Sequence, residues 1–296
     1  MQRRNFIAAT AAGIGLAATG LAGGQTQERA APKTGYAPVN GLKLYYEVHG
    51  AGEPLILLHG GLGASGMFVG ILPALSAKRR VIAVDLQSHG RTADIDRPMT
   101  FEAMAADIAG LLKHLGIAKA DVMGYSLGGG VAAHVAFAYP QAVGKLVIAS
   151  TAFRKDGWYP ELNVDMLQIG PAAAEPMKQT PMYQMYRSVA PRPQDWPVLL
   201  TKIGELLRKD YDWSQNVAAI KSPTLLVFGD ADAVRTAHAV QFFELLGGGK
   251  KDGGWDGSGI SNARLAILPG ATHYNIFTLP TLAANTNAFL ESGAAK

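Results

Sequence analysis

From residue 36 onward, apolar and polar positions fall into two kinds of segment. Short apolar runs, often β-branched, occur at 54–58, 80–86, 120–124, 145–150, 224–228 and 264–268. Such runs are the pattern of strands buried on both faces. Between them, 101–115, 127–139 and 236–246 carry apolar residues at helical spacing. Strands that alternate with helices predict a mostly parallel, doubly wound α/β sheet covered on both sides. Ahead of the first run, "YAPVNGLKLYYEVHG" predicts an antiparallel hairpin, because Asn40-Gly41 suits a type I′ turn between strand-like flanks.

One stretch breaks the alternation. Residues 152–221 hold no convincing buried strand but carry seven prolines, with methionines and aromatics between them. They predict a helical insertion lying over the sheet as a cap. A second irregular stretch, the Gly-rich segment 246–259, lacks the layout of a phosphate cradle and predicts a flexible surface excursion. No internal repeat is evident. The expected organisation is an export signal over 1–24, a linker over 25–35, an α/β core over 36–151 and 222–296, and the cap over 152–221.

The N-terminus reads as an address. A short basic region is followed by a Gly- and Ala-rich apolar stretch and a zone of small residues. The adjacent Arg3-Arg4 pair, followed by Asn5-Phe6-Ile7, resembles a twin-arginine export signal. That implies the twin-arginine export machinery as a partner and an exported bacterial protein, periplasmic or secreted. The apolar stretch is too weakly hydrophobic for a permanent span, so no stable membrane association is expected. With 296 residues, 48% of them hydrophobic, the chain can bury a large core. Its formal net charge is +4, and loss of the two signal arginines leaves about +2. That small excess, with no basic stripe, argues against nucleic acid as a partner. The absence of cysteine excludes disulfides and thiol chemistry. No ligand cluster implies a metal or an organic cofactor, so none is expected. The oligomeric state is left open.

The chemistry gathers around Ser126. Gly124-Tyr125-Ser126-Leu127-Gly128 matches G-x-S-x-G, placed where a predicted strand gives way to a predicted helix. A tight turn there holds a serine hydroxyl above the sheet, with the helix N-terminus aimed at developing negative charge. A serine needs a base, and the base needs an orienting acid. In the order that suits this turn, Asp230 and Asp232 follow one strand and His273 follows the next. Asp232 is the favoured acid because it lies far enough beyond the strand to turn back; Asp230 suits capping or bracing that turn. Of the seven histidines, His49, His114 and His238 read as surface or hairpin residues. His134 reads as packed within its helix, and His59 as bonded within its turn. Oxyanion donors are expected from the Leu127 amide and from "LLHGGLGAS", where Gly61 is preferred and Leu62 is the alternative.

The segments "HGGLGAS", "VDLQSHGRT", "GYSLGGGVA", "LLVFGDADAV" and "PGATHYN" together resemble the α/β-hydrolase-fold family, in that family's order, over about residues 36–292. The resemblance implies the cap, a catalytic set of Ser126, Asp232 and His273, and acyl transfer to water. Its serine argues against the relatives that dehalogenate haloalkanes or open epoxides with an elbow aspartate. Asp85 and His89 fall in a stretch that in this family is usually a structural turn. The expected activity is hydrolysis of a carboxylic ester or lactone of a small, largely apolar substrate. A C–C bond hydrolase, an amidase and a cofactor-free perhydrolase would use the same triad, and a non-catalytic ligand-binding module is a further alternative. Tyr125, Trp158 and Tyr159 are the candidate substrate contacts. Among the cap's Met166, Met182, Tyr183, Met185, Tyr186 and Trp196, some are expected to line an apolar pocket and others to pack the cap on the core. Trp255 could cover a pocket mouth or stand free in solvent.

Overall fold

The computed structural model describes residues 31–293, so the expected export signal lies outside the described residues. Asn40 and Gly41 both take positive φ, 47° and 83°. This is the requirement of a type I′ turn, whose twist matches that of the strands it joins. The turn links β1 (Lys33–Val39) to β2 (Leu42–His49) in an antiparallel hairpin. Residues 33–35, expected in the linker, are already strand, because β2 runs on far enough to pair Lys33 with Val48.

Six further strands complete one sheet: β3 (Pro54–Leu58), β4 (Arg80–Val84), β5 (Ala120–Tyr125), β6 (Val143–Ala149), β7 (Thr224–Ala231) and β8 (Ala263–Thr272). Their spatial order is β1-β2-β4-β3-β5-β6-β7-β8. All contacts from β4 to β8 are parallel, and the hairpin joins antiparallel through β2 and β4. The fold is the mostly parallel α/β arrangement expected.

The apolar runs are unbroken because both faces of the sheet are covered. Successive strand residues point to opposite faces. Ile56 and Leu58 enter one core, with α2 (Phe101–His114) and α3 (Leu127–Ala138), while Leu55 and Leu57 enter another. That second core is closed by the short helix α1 (Leu72–Ser76) and by the C-terminal helix Pro280–Glu291. Both helices escaped the sequence pattern. Yet Leu282, Thr286, Phe289 and Leu290 are buried at helical spacing, so the signal in the second was present.

The cap segment holds the helices Pro160–Leu167, Pro181–Val189, Trp196–Arg208 and Ser214–Ala219. Proline stands at the start of the first three, at the second residue in Trp196–Arg208, and also opens short 3₁₀ turns at Pro171, Pro176 and Pro193. Its fixed φ suits a helical first turn, where no intrahelical acceptor awaits its missing N–H. The prolines therefore punctuate helices here rather than preclude them. Helix Trp196–Arg208 is the cap's anchor. It buries Trp196, Leu199, Leu200 and Ile203, and Lys202 Nζ donates to Asp94 Oδ2 and to the carbonyls of Ile95 and Arg97 at 2.7–2.8 Å. Tyr183 and Tyr186 pack on Trp196, the role of simple cap packing. The excursion 246–259 is largely exposed, and Trp255 stands fully in solvent.

Candidate active site

The turn between β5 and α3 is shaped by what cannot fit beside it. A Cβ on Gly124 would overlap the Gly128 carbonyl, and one on Gly128 would overlap the carbonyls of Leu58 and His59 at the end of β3. With hydrogen at both places, Ser126 is driven to φ 52° and ψ −118°. A non-glycine residue held there costs about 1–3 kcal/mol, which the surroundings must offset. Four hydrogen bonds fix it. Its N–H donates to the Ala149 carbonyl at 2.9 Å, and its own carbonyl accepts from the Gly129 and Gly130 amides and from Thr151 Oγ1. Gly129 leaves room for the Thr151 hydroxyl just beyond β6, so α3 packs close to the sheet, and Gly130 leaves room for the Phe101 ring of α2.

The loops after β7 and β8 meet this turn. His273 Nε2 lies 3.1 Å from Ser126 Oγ, and His273 Nδ1 lies 3.1 Å from Asp232 Oδ1. A carboxylate only accepts, so Nδ1 carries the proton and Nε2 is left to accept from the serine. Asp232 is buried, which opposes its charge. The hydrogen bond from His273, that from the Ser150 hydroxyl at 2.5 Å and that from the Gly229 amide at 3.1 Å outweigh burial and hold its carboxyl below the ordinary range. Asp230 goes elsewhere: its Oδ1 accepts from the Gly270 amide at 2.8 Å and braces β7 against β8. Ser150 was not foreseen. Like Ser126 it has positive φ, 52°, and nothing in "IAST" announces that a strand-end serine will turn onto an aspartate.

On the opposite side, Gly61 and Leu62 present different amides. The Leu62 N–H is already taken by His89 Nε2 at 3.2 Å, whereas the Gly61 N–H has no acceptor among the described residues. The Leu127 N–H opens α3, where no intrahelical acceptor exists. His89 Nδ1 donates to the Gln87 carbonyl, so this ring bridges two loops. His59 likewise donates from Nδ1 to the Gly60 carbonyl and accepts the Leu86 amide at Nε2, as expected of a turn residue. Asp85 accepts the amides of Ser65 and Arg91 and so shapes the same loop.

A cavity of about 650 Å³ opens over Ser126 between sheet and cap. Tyr125, Trp158, Met166, Met182 and Met185 line it. Tyr125 also donates its hydroxyl to the His273 carbonyl at 2.5 Å, fixing the loop that carries the imidazole. Tyr159 does not reach the cavity and is 41% exposed. Trp158 forms an antiparallel bridge with Val234, and in such extended backbone neighbouring side chains diverge, so the inward Trp158 turns Tyr159 outward. Among the described residues no group of three His, Asp or Glu side chains converges as metal ligands would, and no helix is long and apolar enough to cross a membrane.

The remaining histidines divide. His49 pairs with Glu47 on the hairpin, His114 is exposed, and His134 is buried in α3 with Nδ1 on the Gly130 carbonyl. His238 is not a surface residue. It is buried on the inner face of the helix Thr236–Leu245, where its ring stacks on Phe153 and its Nε2 accepts the Phe153 amide. Burial lowers His59, His89 to about 3, and His238 to about 4. The folded chain therefore keeps these rings neutral where the unfolded chain protonates them. Stability is full above about pH 6.5 and falls as pH drops toward 4. Each of His89 and His238 costs about 2 kcal/mol at pH 5. Urea midpoints at pH 7.5 and pH 5 check this: a lower midpoint at pH 5 is expected, with His238→Phe narrowing the gap.

The family model described as alpha/beta hydrolase fold matches residues 53–282. The chain is 30% identical over 216 residues to the protein named "Putative carbamate hydrolase RutD" of Azorhizobium caulinodans, across 67% of this chain and 81% of that one. Among solved structures it is similar to a thermophilic esterase from Thermogutta terrifontis, with a TM-score of 0.67 and 23% identity over 88% of this chain and 98% of that one. The enol-lactonase of Burkholderia xenovorans LB400 superposes with a TM-score of 0.65 and 23% identity, over 87% of this chain and 100% of that one. By the family match, which spans most of its length, this chain belongs to the α/β-hydrolase family.

Proposed function

We propose that the protein hydrolyses a carboxylic ester or lactone of a largely apolar substrate through an acyl-enzyme. The observation that carries this reading is the chain of contacts from Ser126 Oγ to His273 Nε2 and from His273 Nδ1 to Asp232, each 3.1 Å, at the floor of an apolar cavity. Ser126 Oγ attacks the carbonyl carbon as His273 Nε2 takes its proton. Asp232 holds the imidazole in the accepting tautomer and stabilises the imidazolium. The Gly61 and Leu127 amides receive the oxyanion. His273 then protonates the departing alkoxide, and water activated by the same nitrogen releases the acid. Trp158 and Tyr125 border the substrate. At about 650 Å³ the cavity has room for more than the small substrate expected from sequence.

The fold alone leaves the bond open. A panel of nitrophenyl esters, lactones, anilides and peracid-forming conditions tests the choice. Ester or lactone turnover that exceeds the others supports the reading, and preferential amide or peroxide chemistry sinks it. We further infer export of the folded chain by the twin-arginine route, on the strength of Arg3-Arg4. Arg3→Lys with Arg4→Lys should strand the protein in the cytoplasm on fractionation; unchanged export counts against the route.

A further inference from the structure

The polar groups of Tyr125, Thr151, Trp158, Tyr211 and Lys155 on the cavity wall can each be followed to a partner. The Tyr125 hydroxyl is on the His273 carbonyl. Thr151 Oγ1 donates toward the carbonyls of Ser126 and Ala149. The Trp158 indole N–H donates to the Tyr211 hydroxyl at 2.7 Å, which in turn donates to the Ala152 carbonyl at 3.4 Å. Among the described residues the cavity's one ammonium is Lys155. It reaches across to the Leu207 carbonyl at 2.5 Å and the Lys209 carbonyl at 3.4 Å. Those carbonyls close the C-terminal end of helix Trp196–Arg208, where partial negative charge collects and no intrahelical donor remains. Among the described residues no arginine lines the cavity, and Tyr274 stands exposed at its edge.

We propose that this site takes esters whose acyl and leaving groups are both uncharged, and rejects esters that carry a carboxylate. This rests on the ester-hydrolase reading above. A carboxylate brought in beside Met166, Leu206 and Trp213 loses its water and finds no unengaged cation. Drawing Lys155 onto the substrate would strip the donor from two helix-end carbonyls, so the exchange returns little. Neutral chains and rings meet a wall that is mostly apolar and aromatic.

The test compares 4-nitrophenyl hexanoate, its ω-carboxylate counterpart mono(4-nitrophenyl) adipate, and the methyl ester of that half-ester. The hexanoate is expected to exceed the half-ester in kcat/KM by on the order of 100-fold or more, as for an uncompensated buried charge. The methyl-capped form should recover to within about tenfold of hexanoate, because capping removes the charge and keeps the length. A half-ester within about threefold of hexanoate overturns the proposal, and so does discrimination that the methyl cap fails to relieve. Binding to Ser126→Ala, read by tryptophan fluorescence, separates this from the hydrolase reading. If the wild type turns over no ester, that reading falls. Half-saturation by hexanoate at least about tenfold below the half-ester still supports charge selection, and equal half-saturation still overturns it.

Discussion

Ser126→Ala is expected to abolish ester turnover while leaving the fold and its melting temperature nearly unchanged. The loss should be on the order of 10⁵–10⁶-fold in kcat, since a triad acts as a unit and collapses when its nucleophile goes. The side chain makes no contact that the fold depends on: the backbone bonds that hold the turn run through the Ser126 N–H and carbonyl, and alanine keeps both. What disappears is the oxygen 3.1 Å from His273 Nε2. Labelling by a fluorophosphonate probe should vanish in parallel. A variant that still reacts with the probe, or retains more than about a hundredth of wild-type activity, places the nucleophile elsewhere.

The two aspartates after β7 give the second large effect. Asp232→Asn should lower kcat by on the order of 10⁴-fold, and Asp230→Asn by less than about threefold. The asymmetry follows from hydrogen-bond direction. The Gly229 amide and the Ser150 hydroxyl both donate to Asp232 Oδ2, so an asparagine turns its carbonyl oxygen toward them. Its NH₂ then faces His273 Nδ1, which must accept rather than donate. The ring proton moves to Nε2, and the imidazole can no longer take the serine's proton. Asp230 merely braces the Gly270 amide at the surface. Steady-state kinetics on both variants decide it, and a larger loss at Asp230 reverses the assignment.

The parts of this molecule legible in the sequence are those where one physical demand dominates. Strands buried on both faces must be apolar at every position, so the six buried runs stand out. The G-x-S-x-G turn tolerates no Cβ at either glycine, so it too is visible. Less legible are places where tertiary packing decides. Tyr159 and Trp158 look equivalent on paper, and only the bridge to Val234 turns one in and the other out. His238 reads as a surface residue until the Phe153 amide and ring are laid against it. Ser150 and the choice between the Gly61 and Leu62 amides depend on partners dozens of residues away, Asp232 and His89, and no local pattern encodes them.

The site is drawn from the carboxyl ends of β3, β5, β7 and β8, with the whole cap segment between the second and third of these. No contiguous fragment can therefore hold a working half. Loop closures of high sequence separation must all be made before the first substrate is cleaved. Turnover is thus an all-or-none reporter of the assembled sheet, and its recovery during refolding marks completion of the non-local closures rather than the formation of any single helix or hairpin.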